Sequence, residues 1–178
     1  MSELAGLLIA AGLMIRSIVN LKNTALGFDP EHVLAGRVAL PAADYPTVEE
    51  RRAFFEALKN RLEAEPGVTG VALASSLPAL GAGEWWVMAD GETYPTDRDI
   101  PQTNGSVVTD GFFGTMGVPI LRGRDFSPGE VWDAADPVAI VNESFARRVL
   151  GDRDPLGARV RIGRSTSTEP WLRIVGVV

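Results

Sequence analysis

The feature that most constrains this 178-residue sequence is an apolar run near its start, LAGLLIAAGLMI at residues 4–15. The run holds no charged residue, and Arg16 ends it. It is too short to cross a hydrocarbon core, which needs roughly 20 helical residues. As a helix it would be apolar on every face, which is typical of a helix buried deeply in protein or in lipid. The run therefore has to be covered by something other than water.

Four interpretations of the run are open. A secretory signal peptide would have basic residues before the apolar stretch and a small-residue cleavage site after it, whereas here Glu3 precedes it and Arg16 follows. A buried amphipathic helix or an in-plane membrane anchor would need a polar face, which the run lacks. We favour the outer half of a transmembrane helix that continues through Leu26 as a stalk. Arg16 and Lys22 at its exit would equally suit a cytoplasmic side, so charge alone leaves the topology open.

Composition excludes several classes of function. The chain has 23 acidic and 17 basic residues, for a net charge of -6, and no cluster of lysine and arginine that could neutralise successive phosphates. Nucleic acid is therefore excluded as a partner. Because there is no cysteine, disulfides, thiolate catalysis and cysteine-based zinc sites are excluded as well. A hydrophobic content of 46% is enough to build a real core.

The stretch after the apolar run is patterned as strand, helix, strand. Residues 32–41 and 68–78 alternate in the manner of half-buried strands. Between them, residues 47–67 have an apolar stripe at helical spacing, with Thr47 and Glu50 forming a capping box at the start. These three elements predict a right-handed βαβ crossover.

The rest of the chain alternates between short strands and short helices. In the short helix at 110–117 we expect Asp110 as N-cap and Gly117 as the residue after the C-cap, and in the helix at 142–151 we expect Asn142 as N-cap. The predicted strands are 83–91, 103–109, 138–141, 158–163 and 171–178.

Residues with catalytic or metal-binding chemistry are sparse. His32 is the only histidine and has no second ligand at metal-binding spacing, while Ser75 lacks the G-x-S-x-G turn of a nucleophilic serine. The acidic segment 90–99 fails the spacing of a calcium loop, and the glycine-containing segment 6–12 has no lysine for a phosphate loop. The sequence predicts no catalytic, cofactor-binding or metal-ligating residue and therefore no enzyme.

Trp85 and Trp86 are the candidate contact residues. Adjacent residues on a strand face opposite sides, so one sheet face buries only one of them. The other would be available to contact a partner or a substrate. The alternative is that both indoles pack under neighbouring loops.

Several blocks, taken in order, resemble the periplasmic core domain of MacB-like permeases in the FtsX-like class of ABC transporters. The likeness extends to the duplicated orphan permeases of that group. It covers nearly the whole chain, and its specificity lies in the order of the blocks. They are GLLIAAGLMIRSIVNLKNTALGFDPEHVLAGRVALP, PGVTGVALASSLP, VTDGFFGTMGVPILRGRDF, PVAIVNESFARRVLGDRDPLGARVRIG and WLRIVGVV.

This resemblance implies an α+β fold with a porter-like βαβ lobe and an inserted, smaller α+β lobe, preceded by an N-terminal membrane and stalk helix. Residues 1–28 would end the transmembrane helix and form the stalk. Residues 29–104 would be the first part of the porter-like lobe, to which residues 171–178 return, and residues 105–170 would form the inserted lobe.

The resemblance also implies a function. The domain would face the periplasm from the inner membrane and transmit ATP-driven conformational change to substrate or partner proteins, in efflux or in lipoprotein or peptide export. Implied partners are a separate ATPase subunit or domain, a periplasmic or outer-membrane protein, and a second copy in a dimeric transporter. The alternative is a ligand-binding or sensory module tethered to the membrane on the periplasmic side.

Overall fold

The computed structural model describes residues 14, 16, 32–76, 83–133 and 135–178. Met14 and Arg16 are helical, and the rest of the predicted membrane and stalk helix at 1–28 lies outside the described residues. Among the helices that are described, none combines the length and the hydropathy that a membrane crossing requires.

Helix α1, Val48–Glu63, confirms the central helix and its capping box. The Glu50 amide donates to Thr47 Oγ1 at 3.2 Å, and the Thr47 amide donates to Glu50 Oε2 at 3.0 Å. Two of the amide groups left without helical partners at the start of the helix are thereby satisfied. The helix has no fully buried residue, so its apolar stripe is only partly covered.

The two strands predicted on either side of α1 are wrong within the described residues. Residues 33–41 are extended without a ladder partner, with Leu34 fully exposed and Val38 48% exposed. Residues 68–76 form a single antiparallel bridge, between Ala74 and Val108. An alternating pattern becomes a strand only where a neighbouring segment supplies hydrogen bonds along its length. Among the described residues none pairs with 33–41, and 68–76 is joined to residues 107–109 only around this bridge. The βαβ crossover is therefore not formed among the described residues.

The other five predicted strands and one unpredicted two-residue strand, at residues 122–123, form one six-stranded mixed sheet. The strands are β1 (Gly83–Ala89), β2 (Gln102–Gly105), β3 (Arg122–Gly123), β4 (Val138–Val141), β5 (Arg159–Ile162) and β6 (Leu172–Val177). The β4–β6 pair is parallel and the remaining pairs are antiparallel. The order across the sheet is β2-β1-β5-β6-β3, with β4 also pairing with β6.

Strand β6 pairs with three of the other strands in this sheet. It pairs with β5 at residues 172–173, with β3 at residues 176–177, and with β4 along 173–177. Both of its edges are engaged, because Arg173 is opposite Arg159 of β5 and also opposite Val138 of β4. Apart from Arg173 the stretch has no polar side chain, and residues 174–177 are buried, as expected of a strand covered on both faces.

Two short helices connect the strands. Helix α2, Phe112–Thr115, begins at Gly111 in a left-handed conformation with φ of 75°, so the prediction of Asp110 as N-cap is wrong, whereas Gly117 follows the C-cap as expected. Helix α3, Glu143–Phe145, continues as a π-helical turn, Ala146–Leu150. Its N-cap Asn142 is confirmed, because the side chain accepts a hydrogen bond from the Phe145 amide at 2.7 Å.

The main core lies where α3 covers the sheet. Ile174 at its centre is 1% exposed. The strands β1, β4, β5 and β6 contribute one side and α3 the other, which joins segments far apart in the chain. The buried members are Val87, Ala89, Val141, Phe145, Val149, Leu150, Val160, Ile174 and Val177.

The connection between β3 and β4 is held by an ion pair. Arg124 donates to both carboxylate oxygens of Glu130, at 2.9 and 2.6 Å, and the Ser127 amide donates to Glu130 Oε2 at 2.7 Å. The hydrogen bond from Arg124 is the largest cause that lowers the pKa of Glu130 from 4.5 to about 2. A bidentate pair of this kind is among the stronger charge-assisted contacts.

Glu130→Gln is therefore expected to destabilise the protein in a pH-dependent manner. Because the folded-state pKa is the lower one, the carboxylate stabilises the fold fully above about pH 4.5, and this contribution disappears as the pH falls towards 2. The urea midpoint of the variant should be below that of the wild type at pH 7. This difference in midpoint should fall towards zero as the pH is lowered from about 4.5 to 2. Glu143→Gln, which removes an exposed pair with Arg147 at 3.6 Å, is the control with a small difference throughout. A gap for Glu130→Gln that stays constant down to pH 2 would contradict the assignment.

A candidate binding cleft beside Trp86

The two adjacent tryptophans of β1 are both half-buried, on opposite faces of the strand. Trp85 packs against the main core, and its ring lies against Gly105 on the neighbouring strand so closely that a Cβ at that position would collide with it. Trp86 is opposite Gln102 of β2 and lines an open cleft. Whether either indole contacts a partner stays a prediction, and the structure makes Trp86 the more available of the two.

Two loops form the cleft. The first follows β1 and contains a short 3-10 helix, Asp97–Asp99, and the second follows β5. Ser165 of the second loop donates to Asp97 Oδ1 from its hydroxyl at 2.7 Å and from its amide at 3.2 Å. These bonds hold the pKa of Asp97 below its ordinary value. The Gly163 amide also donates to the Trp86 carbonyl at 2.8 Å, so the second loop is fixed to the strand that carries the indole.

An arginine lies over the indole at the mouth of the cleft. The guanidinium carbon of Arg164 is 4.6 Å from the centroid of a Trp86 ring, which is within the range of a cation-π contact. The cavity beneath has a volume of about 650 Å³ and is also lined by Arg98, Ile100 and Pro101. Its volume is within the range of natural ligand sites, roughly 300–1,000 Å³.

The hydrogen-bonding groups of the cleft are unequally engaged. Asp97 accepts from Ser165, and Asp99 accepts from the amide and hydroxyl of Thr96, both at 2.9 Å. The guanidinium groups of Arg98 and Arg164, by contrast, have no hydrogen-bond acceptor within the described residues. The cleft therefore presents unused arginine donors and an aromatic surface, beside two carboxylates that each accept hydrogen bonds through one oxygen.

The remaining residues with possible catalytic or metal-binding chemistry lie outside the cleft. The Ser75 hydroxyl accepts a hydrogen bond from the Val107 amide at 3.0 Å and lies 3.1 Å from the Ser106 hydroxyl. In the acidic segment, Asp90 pairs with Arg159 and Glu92 pairs with Arg153. His32 lies in a turn at the start of the described chain. Among the residues with described positions, no group of three or more histidine, aspartate or glutamate side chains is arranged to hold a metal ion.

Sequence reasoning missed Arg164 and the Asp97–Ser165 contact. The two residues of that contact are 68 positions apart, and neither belongs to a recognisable motif. The only available signal was Trp86 itself. The partner of an exposed aromatic residue has to be found through the topology of the sheet, which brings the loop after β5 next to β1.

The structure is a mixed α/β domain in which the loops after β1 and β5 form an open cleft beside Trp86. The family model for MacB-like periplasmic core domains matches residues 13–178. The chain belongs to this family, and the resemblance inferred from the order of the sequence blocks is confirmed.

Several solved structures are similar to the chain, and two of them are periplasmic or extracellular regions of transporters. The periplasmic region of MacB from Actinobacillus actinomycetemcomitans is 15% identical with a TM-score of 0.49, and the match covers 74% of this chain and 56% of that one. The extracellular domain of the ABC-type transporter YknZ from Gram-positive bacteria is 16% identical with a TM-score of 0.48, covering 68% and 55% respectively. The chain thus spans about half the length of these domains. The search of curated proteins finds no match.

Proposed function

We propose that this chain is the extracytoplasmic domain of an ABC transporter permease and that it passes ATP-driven conformational change to substrate or partner proteins in export. The observation that carries the proposal is the family match, which extends over residues 13–178. In this arrangement the domain faces the periplasm from the inner membrane, and residues 1–28 lead out of the bilayer as a helix and stalk. The ATPase is a separate subunit or domain, and the intact transporter is a dimer.

Within this proposal, residues 29–104 and 171–178 belong to a porter-like lobe and residues 105–170 to an inserted lobe. Support for a lobe that needs further chain to complete it comes from apolar side chains around α1. Leu34 is fully exposed and Leu62 is 41% exposed, although both lie in segments patterned for burial. Additional strands of a longer protein would cover them.

The contacts of α1 with the remainder of the domain suit relative movement. Lys59 of α1 pairs with Asp110 at 2.8 Å, and the Arg52 guanidinium lies 5.9 Å from a ring centroid of Trp132. Contacts made by polar and charged side chains, on a helix with no fully buried residue, can break and re-form during a displacement. A lever needs stiff parts joined by such an interface and needs no reactive side chain.

The proposal is tested by locking α1 to the start of the inserted lobe in the intact transporter, because β1 of the first lobe is already paired with β5 of the inserted lobe whereas α1 lies outside that sheet. Because the chain has no cysteine, Lys59→Cys combined with Asp110→Cys allows a thiol-specific crosslinker to join α1 to the start of the inserted lobe. We expect crosslinking to reduce ATP-dependent export at least tenfold, and reductive release of a cleavable crosslinker to restore it.

The matched control joins two residues of the same predicted lobe, an exposed ion pair, through Arg122→Cys and Asp154→Cys. Crosslinking this pair should leave export unchanged. Export that continues at the control rate with the Lys59→Cys/Asp110→Cys pair fully crosslinked would overturn the lever mechanism. It would favour the tethered ligand-binding module, for which no relative movement of the lobes is required.

A further inference from the structure

The outer edge of β2 has main-chain groups directed away from the sheet. The Val87 amide donates to the Pro101 carbonyl at 2.9 Å, so the neighbouring pair, Trp86 and Gln102, is a non-hydrogen-bonded pair of the ladder. The Trp86 carbonyl accordingly accepts from Gly163 on the opposite side. The amides of Gln102 and Asn104 therefore point outwards, along the edge of the sheet beside the cleft.

Only part of this edge is engaged by the protein. Arg148 of α3 donates to the Gln102 carbonyl at 2.9 Å. The amides of Gln102 and Asn104 have no acceptor within the part of the chain that the structure describes. An edge strand with outward amides is the usual template for addition of an extended segment from another chain.

The edge and the cleft both present unused hydrogen-bond donors. The outward amides of β2 and the guanidinium groups of Arg98 and Arg164 have no acceptor within the described residues, whereas Asp97 and Asp99, which also line the cleft, accept through one oxygen each from Ser165 and Thr96. A matching ligand therefore has to supply acceptors, with its acidic groups directed to the two arginines and away from the two aspartates. Arginine pairs most strongly with carboxylates, and Arg164, which lies over Trp86, has N–H groups without an acceptor for such a pair.

We propose that β2 and the Trp86 cleft bind an extended acidic segment of a partner protein, which adds as a strand to β2. Its carboxylates pair with Arg98 and Arg164, and an apolar side chain lies against Trp86. The outward amides of β2 favour a peptide over an isolated anion, because they match main-chain carbonyls at strand spacing. This inference rests on the proposed function, since it specifies the chemistry of the partner that the extracytoplasmic domain contacts.

The test is a binding titration with the full 178-residue chain, in which binding is monitored through the NMR signals of amide and indole groups. The probe is a short, end-capped peptide that alternates phenylalanine with glutamate, and its matched control carries lysine in place of glutamate. We expect the acidic peptide to shift the signals of Trp86, Gln102 and Asn104, and the lysine peptide to bind at least tenfold more weakly. Raising the salt concentration should weaken the acidic peptide through screening of the charge pairs.

Variants separate the two parts of the proposed site. Arg164→Ala should weaken the acidic peptide by about tenfold or more, because it removes a charge-assisted hydrogen bond. Arg122→Ala, at an exposed arginine paired with Asp154 on β3, is the matched control and should have no effect. Asn104→Pro removes an outward amide without touching the bonds to β1, and should also weaken the peptide.

Each alternative outcome is distinguishable. If Asn104→Pro binds the peptide normally and inorganic phosphate shifts the same signals as strongly, the site takes bare anions and strand addition is overturned. Equal affinity for the lysine peptide, or no salt dependence in the wild type, would overturn the acidic class of partner even if a variant fails to fold. The crosslinking experiment measures export and does not measure peptide binding. Failure of the peptide to bind would therefore not contradict the lever mechanism.

Discussion

Gly123→Ala is expected to destabilise the domain by about 3 kcal/mol or more. Gly123 is paired with Gly176 of β6 and has a φ of 78°, a conformation that costs an L-residue roughly 1–2 kcal/mol. A Cβ there would also collide with the Val175 carbonyl oxygen and lie 2.7 Å from Leu156 Cδ2. Overpacking of this kind adds about 1–3 kcal/mol, and the carbonyl cannot move aside without disturbing β6. The measurement is urea unfolding, with the midpoint compared at unchanged m value.

Gly129→Ala separates strain from collision. Gly129 lies in the connection after β3 and has a φ of 84°, close to that of Gly123, but nothing lies within 4 Å of the position of its Cβ. The control should therefore show the conformational cost alone, about 1 kcal/mol. Equal losses for the two variants would show that the close approach of β3 to β6 contributes nothing.

Local signals in the sequence predicted local structure well. The capping box of Thr47 and Glu50 needs only residues three positions apart, and the structure forms it as expected. The same applies to Asn142 at the start of α3. Asp110 failed as an N-cap because its carboxylate pairs with Lys59, which is 51 positions away, and because Gly111 supplies the left-handed turn. A tertiary contact overrode a capping preference of about 1 kcal/mol.

The pairing of strands and the residues of the cleft could not be predicted from the sequence, and the reason is the same for both. Residues 33–41 and β6 both have strand patterns, but only β6 meets neighbours on both edges in the described structure. The sequence pattern reports which residues suit a strand and does not report which chain segment will lie beside it. In the same way Trp86 could be identified as a candidate, whereas Arg164 and Ser165 became part of the site only once β5 was placed beside β1.

Ile174→Ala is expected to destabilise the domain by about 3–4 kcal/mol, which would be a large fraction of the stability of a domain of this size. Ile174 is 1% exposed and belongs to the core cluster that α3 and four strands share. Truncation removes buried apolar surface and leaves a cavity, because β6 is held on both edges and cannot move inwards. The free energy of unfolding from urea titration is the measured quantity.

A graded pair of controls tests whether burial on β6 is the cause. Ile174→Val removes one methyl group and should cost about 1 kcal/mol. Leu34→Ala, at a fully exposed apolar residue, should change the free energy of unfolding by less than about 0.5 kcal/mol. If Leu34→Ala were as costly as Ile174→Ala, residues 33–41 would have to be packed in solution, and the proposal that further chain completes the first lobe would lose its support. A small effect of Leu34→Ala would support a domain whose apolar surface is covered by further chain of the transporter. A large effect would indicate a domain that covers this surface itself.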